Sequence, residues 1–368
     1  KKIIIFFLTV VIISFLYLKK NIIIVKSFEF IPNQYKEKLL SFMISSNEKL
    51  DPFDFKVWKE INNHFPEYAY EIWNRSNNNI KNYEKEKKLN NIEEGINFSF
   101  VALGDSPRGK PPIGGYSEFS KLIKKINSKN IKFTISVGDL KGGSTKCTNR
   151  LYYDLKFFFN KFEEPIIYSP GDNEWMDCVE KDPIERLNFV RKVFFENEFS
   201  LGKKKIKLER QSDKQSIKYS EFLENSRFIY KNFMFIQLHY NGKLAEKKNS
   251  KNNLINKKIL KVKNKIDEIH EANNEWLKES LDLIYNNELD GLIISFHGLF
   301  ENYLIDNKDF NEIFYKKIIH LSNKKKFSIL IINKNGGHYT SFIEKKKYGE
   351  VINLIVPGHN RAVKVDIN

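Results

Sequence analysis

The stretch PIIYSPGDNEWMDC, residues 165–178, decides the fold. Pro165 to Ser169 is a short apolar run with strand character that enters Pro170-Gly171-Asp172-Asn173-Glu174 without a break, so the acidic turn sits at a strand end. The same arrangement occurs twice upstream. Ile131 to Val137 (IKFTISV) reads as a strand entering Gly138-Asp139, and Asn97 to Leu103 (NFSFVAL) as a strand entering Gly104-Asp105. The intervening segments carry helical periodicity: Glu118 to Ile126 sets Phe119, Leu122 and Ile126 on one face, and Leu151 to Phe162 does the same with Leu155, Phe158 and Phe162. Asp105, Asp139 and Asp172 follow one another at 34 and 33 residues, each step the size of one βαβ unit. Consecutive right-handed units in one sheet run parallel, so all three turns are expected at one carboxyl edge, where open α/β sheets bind ligands.

Downstream, Phe228 to Leu238 has further strand character, and Val262 to Asn286 reads as a long amphipathic helix with Ile266, Ile269, Trp276, Leu277, Leu281 and Ile284 on its apolar side. Asp290 to Phe296 is a buried strand ending at His297. A helix over Phe310 to His320 precedes the strand Phe327 to Ile332, which leads into Asn335-Gly336-Gly337-His338. Tyr348 to Val356 and Ala362 to Ile367 read as antiparallel strands. Five strand ends then hold five candidate ligands: Asp105, Asp139, Asp172 or Asn173, His297 and His338. A pair of divalent cations needs such a set, hard carboxylate oxygens with one of them bridging, and imidazoles that hold position without adding charge. A lone Gly-Asp is an ordinary turn or helix cap; three at this spacing followed by two strand-end histidines form a pattern. His239, at a strand end, and Arg108, three residues past Asp105, are additional candidates, Arg108 for a substrate phosphate. His64, His270, His320 and His359 read as structural or exposed.

The order Gly-Asp, Gly-Asp, Gly-x-x-Glu, His, Gly-x-His resembles the calcineurin-like metallophosphoesterases. The resemblance is closer to a branch whose third motif reads Gly-Asp-Asn-Glu-Trp with a following Asp-Cys. Residues 171–178 carry that motif, and Gly138 to Ser144 with Cys147-Thr148, Asp182 to Leu187, Phe194-Phe195 and Ser200 to Gly202 look like the same branch. The resemblance covers residue 97 to the end and is most specific between 134 and 202. It implies a four-layer α/β/β/α sandwich that hydrolyses a phosphoester of a phosphorylated small molecule or protein, by a metal-bound hydroxide on one or two divalent ions (Mn, Fe, Zn or Mg). Carried over, Asp105 binds one metal, Asp139 bridges, Asp172 or Asn173 and His297 serve the second, and His338 completes the first. Asn173 and Asp139 become the catalytic residues, and Cys147 and Cys178 a disulfide. Three departures stand out. Ser106 and Pro107 replace an imidazole ligand after Asp105, Asn173 replaces a catalytic histidine and cannot protonate a leaving group near neutral pH, and Gly336 stands where a ligand is expected. The alternative function is therefore a catalytically impaired binding or structural component with the same fold.

Composition frames this reading. The chain has 368 residues and 41% hydrophobic content, enough for a sizeable core and unlike a disordered protein. Its net charge of +16 arises in a Lys- and Asn-rich background, so runs such as Lys203-Lys204-Lys205 read as solvated loops and name no nucleic-acid partner. No pattern bears on oligomeric state. Ile3 to Leu18 is a 16-residue uncharged stretch between lysine pairs, a length between a signal-peptide core and a full span. Residues 1–25 are expected to be a signal peptide or membrane anchor, 26–95 a helical or linker region, and 96–368 the metallophosphoesterase-like domain. The expected location is the secretory pathway. An even pair of cysteines, each just after an acidic turn, could bridge two loops there, and the sequons at Asn74 and Asn97 would permit glycosylation.

Overall fold

The computed structural model of the chain describes residues 97–107, 114–178, 180–240, 253–323, 327–334, 341–346, 348–358 and 360–368. Residues 1–25 and 26–95, Arg108, Gly336, His338 and His359 lie outside them.

Strands β1 (Phe98–Leu103), β2 (Thr134–Val137) and β3 (Ile166–Ser169) pair in parallel, linked by helices α1 (Gly114–Asn127) and α2 (Asn149–Phe159). Thr148 caps α2, its hydroxyl accepting from the Leu151 N–H, and Asp182 does the same for α3 (Pro183–Phe194) through the N–H groups of Ile184 and Glu185. Because the chain is βαβ-wound here, Asp105, Asp139 and Asp172 follow their strands at the same edge of the sheet.

A second sheet contains β4 (Glu209–Arg210), β5 (Ser226–Tyr230), β6 (Phe233–Gln237), β7 (Gly291–Ser295), β8 (Ser328–Lys334), β9 (Phe342–Lys346) and β10 (Gly349–Val356), in the order β4-β5-β6-β7-β8-β10-β9. Its centre, β6 to β7 to β8 to β10, is parallel. The protein is thus a mixed α/β fold. Side chains at every second position of the two sheets meet in one apolar layer: Phe98, Phe100 and Ala102 of β1 and Ile135 and Val137 of β2 pack with Phe233 and Phe235 of β6, Ile293 of β7 and Ile332 of β8. Phe133 sits at its centre, stacked on Phe100 at 5.3 Å and edge-on to Phe235 at 5.0 Å. The alternate residues of the second sheet, among them Ile236, Leu292, Ile294 and Ile331, face helix α4 (Asn253–Asn286) through Trp276, Leu277 and Leu281, and helices α5 (Phe300–Asp306) and α6 (Lys308–Ile313) through Phe300, Tyr303 and Phe310. On β3, Tyr168 points away from the shared layer and packs on Phe159, Phe194 and Phe195.

Several elements differ from the sequence reading. Phe228 to Leu238 is a hairpin rather than one strand: Lys231 and Asn232 both have positive φ, 43° and 66°, the conformation that a tight two-residue turn between right-twisted strands requires. Helix α4 begins nine residues before Val262. The helix expected over Phe310 to His320 is α6 followed by a π-helical turn at Phe314–Ile318 and a last α-turn at Ile319–Ser322. Strand β10 is antiparallel to β9 but parallel to β8. The chain then changes sheets, and β11 (Val363–Ile367) pairs antiparallel with β1, giving the first sheet the order β11-β1-β2-β3. Among the described residues no helix is long and apolar enough to cross a membrane.

Candidate metal centre

Two sheets with parallel centres pack face to face and bring two carboxyl edges together. Asp105, Asp139 and Asp172 come from the ends of β1, β2 and β3; His239 and His297 follow β6 and β7, and Lys334 is the last residue of β8. The β2 turn is tight. Gly138 has φ 80°, and a Cβ on it would lie 2.5 Å from the Gly171 nitrogen, so no other residue lets the β2 and β3 turns approach this closely. Asp139 follows with φ 58°, and Asp105 has φ 49°, a left-handed conformation that aspartate tolerates better than most side chains.

Glu174 ties these turns into one unit. Its buried carboxylate accepts the N–H of Gly171 (2.7 Å), of Asp139 (3.3 Å) and of Leu140, while the Tyr152 hydroxyl donates to its carbonyl at 2.7 Å. Burial pushes the Glu174 carboxyl above its usual range, opposed by the Leu140 N–H bond. Outside this knot, Cys147 and Cys178 form a disulfide, with Cα atoms 5.6 Å apart, that joins the segments following the two turns.

Asp139, Asp172 and His297 converge: each offers one ligand atom, and these lie within 4.8 Å of one another. His297 Nε2 is 3.4 Å from Asp139 Oδ1 and 3.3 Å from Asp172 Oδ1. Its Nδ1 donates to the Val137 carbonyl at 2.9 Å, which turns Nε2 toward the carboxylates and fixes the tautomer a metal would use. Burial alone would lower the His297 pKa, but the carboxylates of Asp139 and Asp172 outweigh it and push it up to about 10. Burial raises the Asp139 carboxyl well above the normal range, with His297 pulling the other way. Asp172 is half-exposed; against its burial, the hydrogen bond and charge of His297 hold it to about 2. Two carboxylate oxygens and an imidazole nitrogen, directed at one another from three strand ends, fit a divalent cation.

The remaining candidates take other places. Asn173 is engaged through its amide nitrogen, which donates to Asp139 Oδ2 at 2.7 Å and to the Lys141 carbonyl at 3.0 Å. Among the described residues Asp172 belongs to the cluster, and the Asn173 amide holds Asp139. Asp105, fully buried, lies outside the cluster, and its Oδ2 is 3.3 Å from Lys334 Nζ. His239 is also fully buried; its Nδ1 meets Glu224 at 2.7 Å, and the Glu224 carboxylate is clamped by two nitrogens of Arg191 at 2.9 and 2.8 Å. Two participants were not singled out from the sequence. Glu174 was visible as the third position after Gly171, and Lys334 as a lone lysine closing an apolar strand.

No protein-family model matches the chain, and no curated protein matches its sequence. Similar solved structures include a dimetal phosphatase from Danio rerio, with TM-score 0.44 and 11% identity over 71% of this chain and 88% of that one. Another is purple acid phosphatase PPD1 from seeds of yellow lupin (Lupinus luteus), with TM-score 0.39 and 14% identity over 74% of this chain and 46% of that one. The chain thus spans about half the length of the lupin enzyme.

Proposed function

We propose that the chain is a metal-dependent phosphoesterase with the four-layer α/β/β/α architecture of the calcineurin-like metallophosphoesterases, in which Asp139, Asp172 and His297 hold a divalent cation. The observation that carries this reading is the convergence of those three donors, from β2, β3 and β7, at the joint carboxyl edge of two sheets. A divalent cation there would supply Lewis acidity toward a phosphoryl oxygen and a more acidic water. The chain's own residues would do the rest. His297 is oriented by the Val137 carbonyl, Asp139 by the Asn173 amide, and the β2 and β3 turns are locked by Glu174. Arg108 and His338 remain candidates for phosphate and metal contacts, and the substrate is a phosphorylated small molecule or protein.

In this reading residues 96–368 are the catalytic domain, 26–95 a preceding helical or linker region, and 1–25 a signal peptide or anchor that delivers the protein to the secretory pathway. The Cys147–Cys178 disulfide fits that oxidising compartment.

Metal analysis of the purified chain, with p-nitrophenyl phosphate turnover in Mn, Fe, Zn and Mg, tests the proposal. Bound metal and turnover are expected, both lost in Asp139→Asn. A chain with neither sinks it. A second reading, a binding component without catalysis, is favoured by one observation: Asn173, where a proton donor to the leaving group is expected, is an amide already committed to Asp139 and Lys141. Metal binding without turnover would select it.

A further inference from the structure

Lys334 and Asp105 are both fully buried, and the ammonium lies 3.3 Å from the carboxylate at the same edge that gathers Asp139, Asp172 and His297. A lysine buried at the end of an apolar parallel strand carries a large desolvation penalty unless an anion meets it, so this seat is built for one. Two glycines make the room. A Cβ on Gly104 would stand 3.1 Å from both Lys334 Cγ and Cδ, and one on Gly358 would stand 2.8 Å from Asp105 Oδ2 and 3.1 Å from Lys334 Cε. The lysine stem passes along one glycine and its tip, with the carboxylate it meets, is bounded by the other.

The Asp105 N–H donates to the Gly138 carbonyl at 3.0 Å, so the β1 turn is held against the residue that precedes Asp139. A second cation at this edge would take Asp105 as a ligand, and there it would meet the Lys334 ammonium, 3.3 Å from the same carboxylate. Two like charges at one carboxylate in a poorly solvated site repel each other strongly.

We infer that the Lys334 ammonium occupies the place of a second cation, so that the centre is mononuclear, with one divalent ion on Asp139, Asp172 and His297 and the lysine on Asp105. The inference rests on the reading of those three residues as a metal site. It assigns Lys334 a positioning role: its ammonium is the counter-charge of Asp105 at the edge that carries the bound ion.

Manganese titration read by electron paramagnetic resonance and by calorimetry tests this on the full chain. The wild type should saturate at one Mn(II) with the six-line spectrum of an isolated ion, lost in Asp139→Asn. Lys334→His, which offers an imidazole at the same strand end, and Lys334→Met, which removes the ammonium from Asp105, should admit a second ion, with an exchange-coupled multiline spectrum. Two coupled ions in the wild type would overturn the inference and leave the metal site standing. No bound ion in the wild type would overturn both. One ion in the wild type and in both folded variants would show that Lys334 is not what excludes the second. The wild-type spectrum decides the nuclearity even if neither variant folds.

Discussion

The His297 imidazole hangs from the Val137 carbonyl, 2.9 Å from Nδ1 to oxygen, so a side chain of the second sheet is aimed by the backbone of the first. This bond spans the interface between the sheets and decides which nitrogen faces Asp139 and Asp172. Replacing His297 with Ala should weaken Mn(II) or Zn(II) binding by at least about 10- to 100-fold, the loss typical even for groups that only support a ligand. Isothermal titration reads it, and unchanged affinity would remove His297 from the site.

Glu174 supports the site without belonging to the cluster. Glu174→Gln keeps the size but sets an amide N–H₂ against backbone donors, leaving at least one buried N–H unmet, at about 1–3 kcal/mol. Thermal unfolding should fall by several degrees and metal affinity should drop with it. A variant with wild-type melting and affinity would mean the three N–H bonds to Glu174 do not organise the turns. Gly171→Ala should be more damaging to metal binding, because its Cβ would press on Asp139 Oδ1.

The disulfide closes a loop with sequence separation 31. Loop-closure arguments put its contribution at about 2–4 kcal/mol, so the double variant Cys147→Ser, Cys178→Ser should unfold at lower urea concentration. An unchanged midpoint would show that the Glu174 bonds suffice to hold the turns.

The buried Arg191–Glu224–His239 chain predicts acid sensitivity. Burial would raise the Glu224 carboxyl, but Arg191 and then His239 outweigh it and hold it far below the usual range. Burial lowers the His239 pKa, against the pull of Glu224. Both groups therefore bind protons more weakly in the folded chain than in the unfolded one. Their stabilisation is complete above the unfolded values, 4.5 for the glutamate and 6.5 for the histidine, and is lost as pH falls from each toward the lower folded value. Melting temperature should decline below pH 6.5 through His239 and further below pH 4.5 through Glu224 in the wild type. Glu224→Gln should melt lower at pH 7, having lost about 3–5 kcal/mol from a broken buried pair, and show a shallower decline below pH 4.5. Parallel curves would refute the assignment.

The strands entering Gly104, Gly138 and Gly171 were legible because β-type apolar runs ending in Gly-Asp carry both local preference and tertiary placement. Parallel winding put Asp105, Asp139 and Asp172 at one sheet edge, but only Asp139 and Asp172 join the cluster, with His297 from the second sheet, while Asp105 meets Lys334. What was not legible depended on contacts between distant segments. The Lys231-Asn232 turn lacks the glycine that usually marks a hairpin. The pairing of Lys334 with Asp105 joins residues whose meeting depends on how the two sheets face each other, and nothing local signals it. Glu174 looked like part of a motif, but its task, accepting N–H groups from the neighbouring turn, exists only once β2 and β3 lie side by side. Likewise β10 could be recognised as a strand, while its parallel partner β8 follows from the strap of β9.

Strand β11 crosses from the second sheet to pair with β1, Phe98 opposite Ile367 and Ala102 opposite Val363. During synthesis at about 5–20 residues per second, β1 therefore waits tens of seconds for the partner on that side. Throughout that interval a strand of aromatic and aliphatic residues offers an open row of backbone donors and acceptors, the template on which nascent chains pair wrongly with one another. A ribosome stalled short of residue 363, or a protease that clips β11 away, would leave the molecule with an adhesive margin rather than merely a shorter tail.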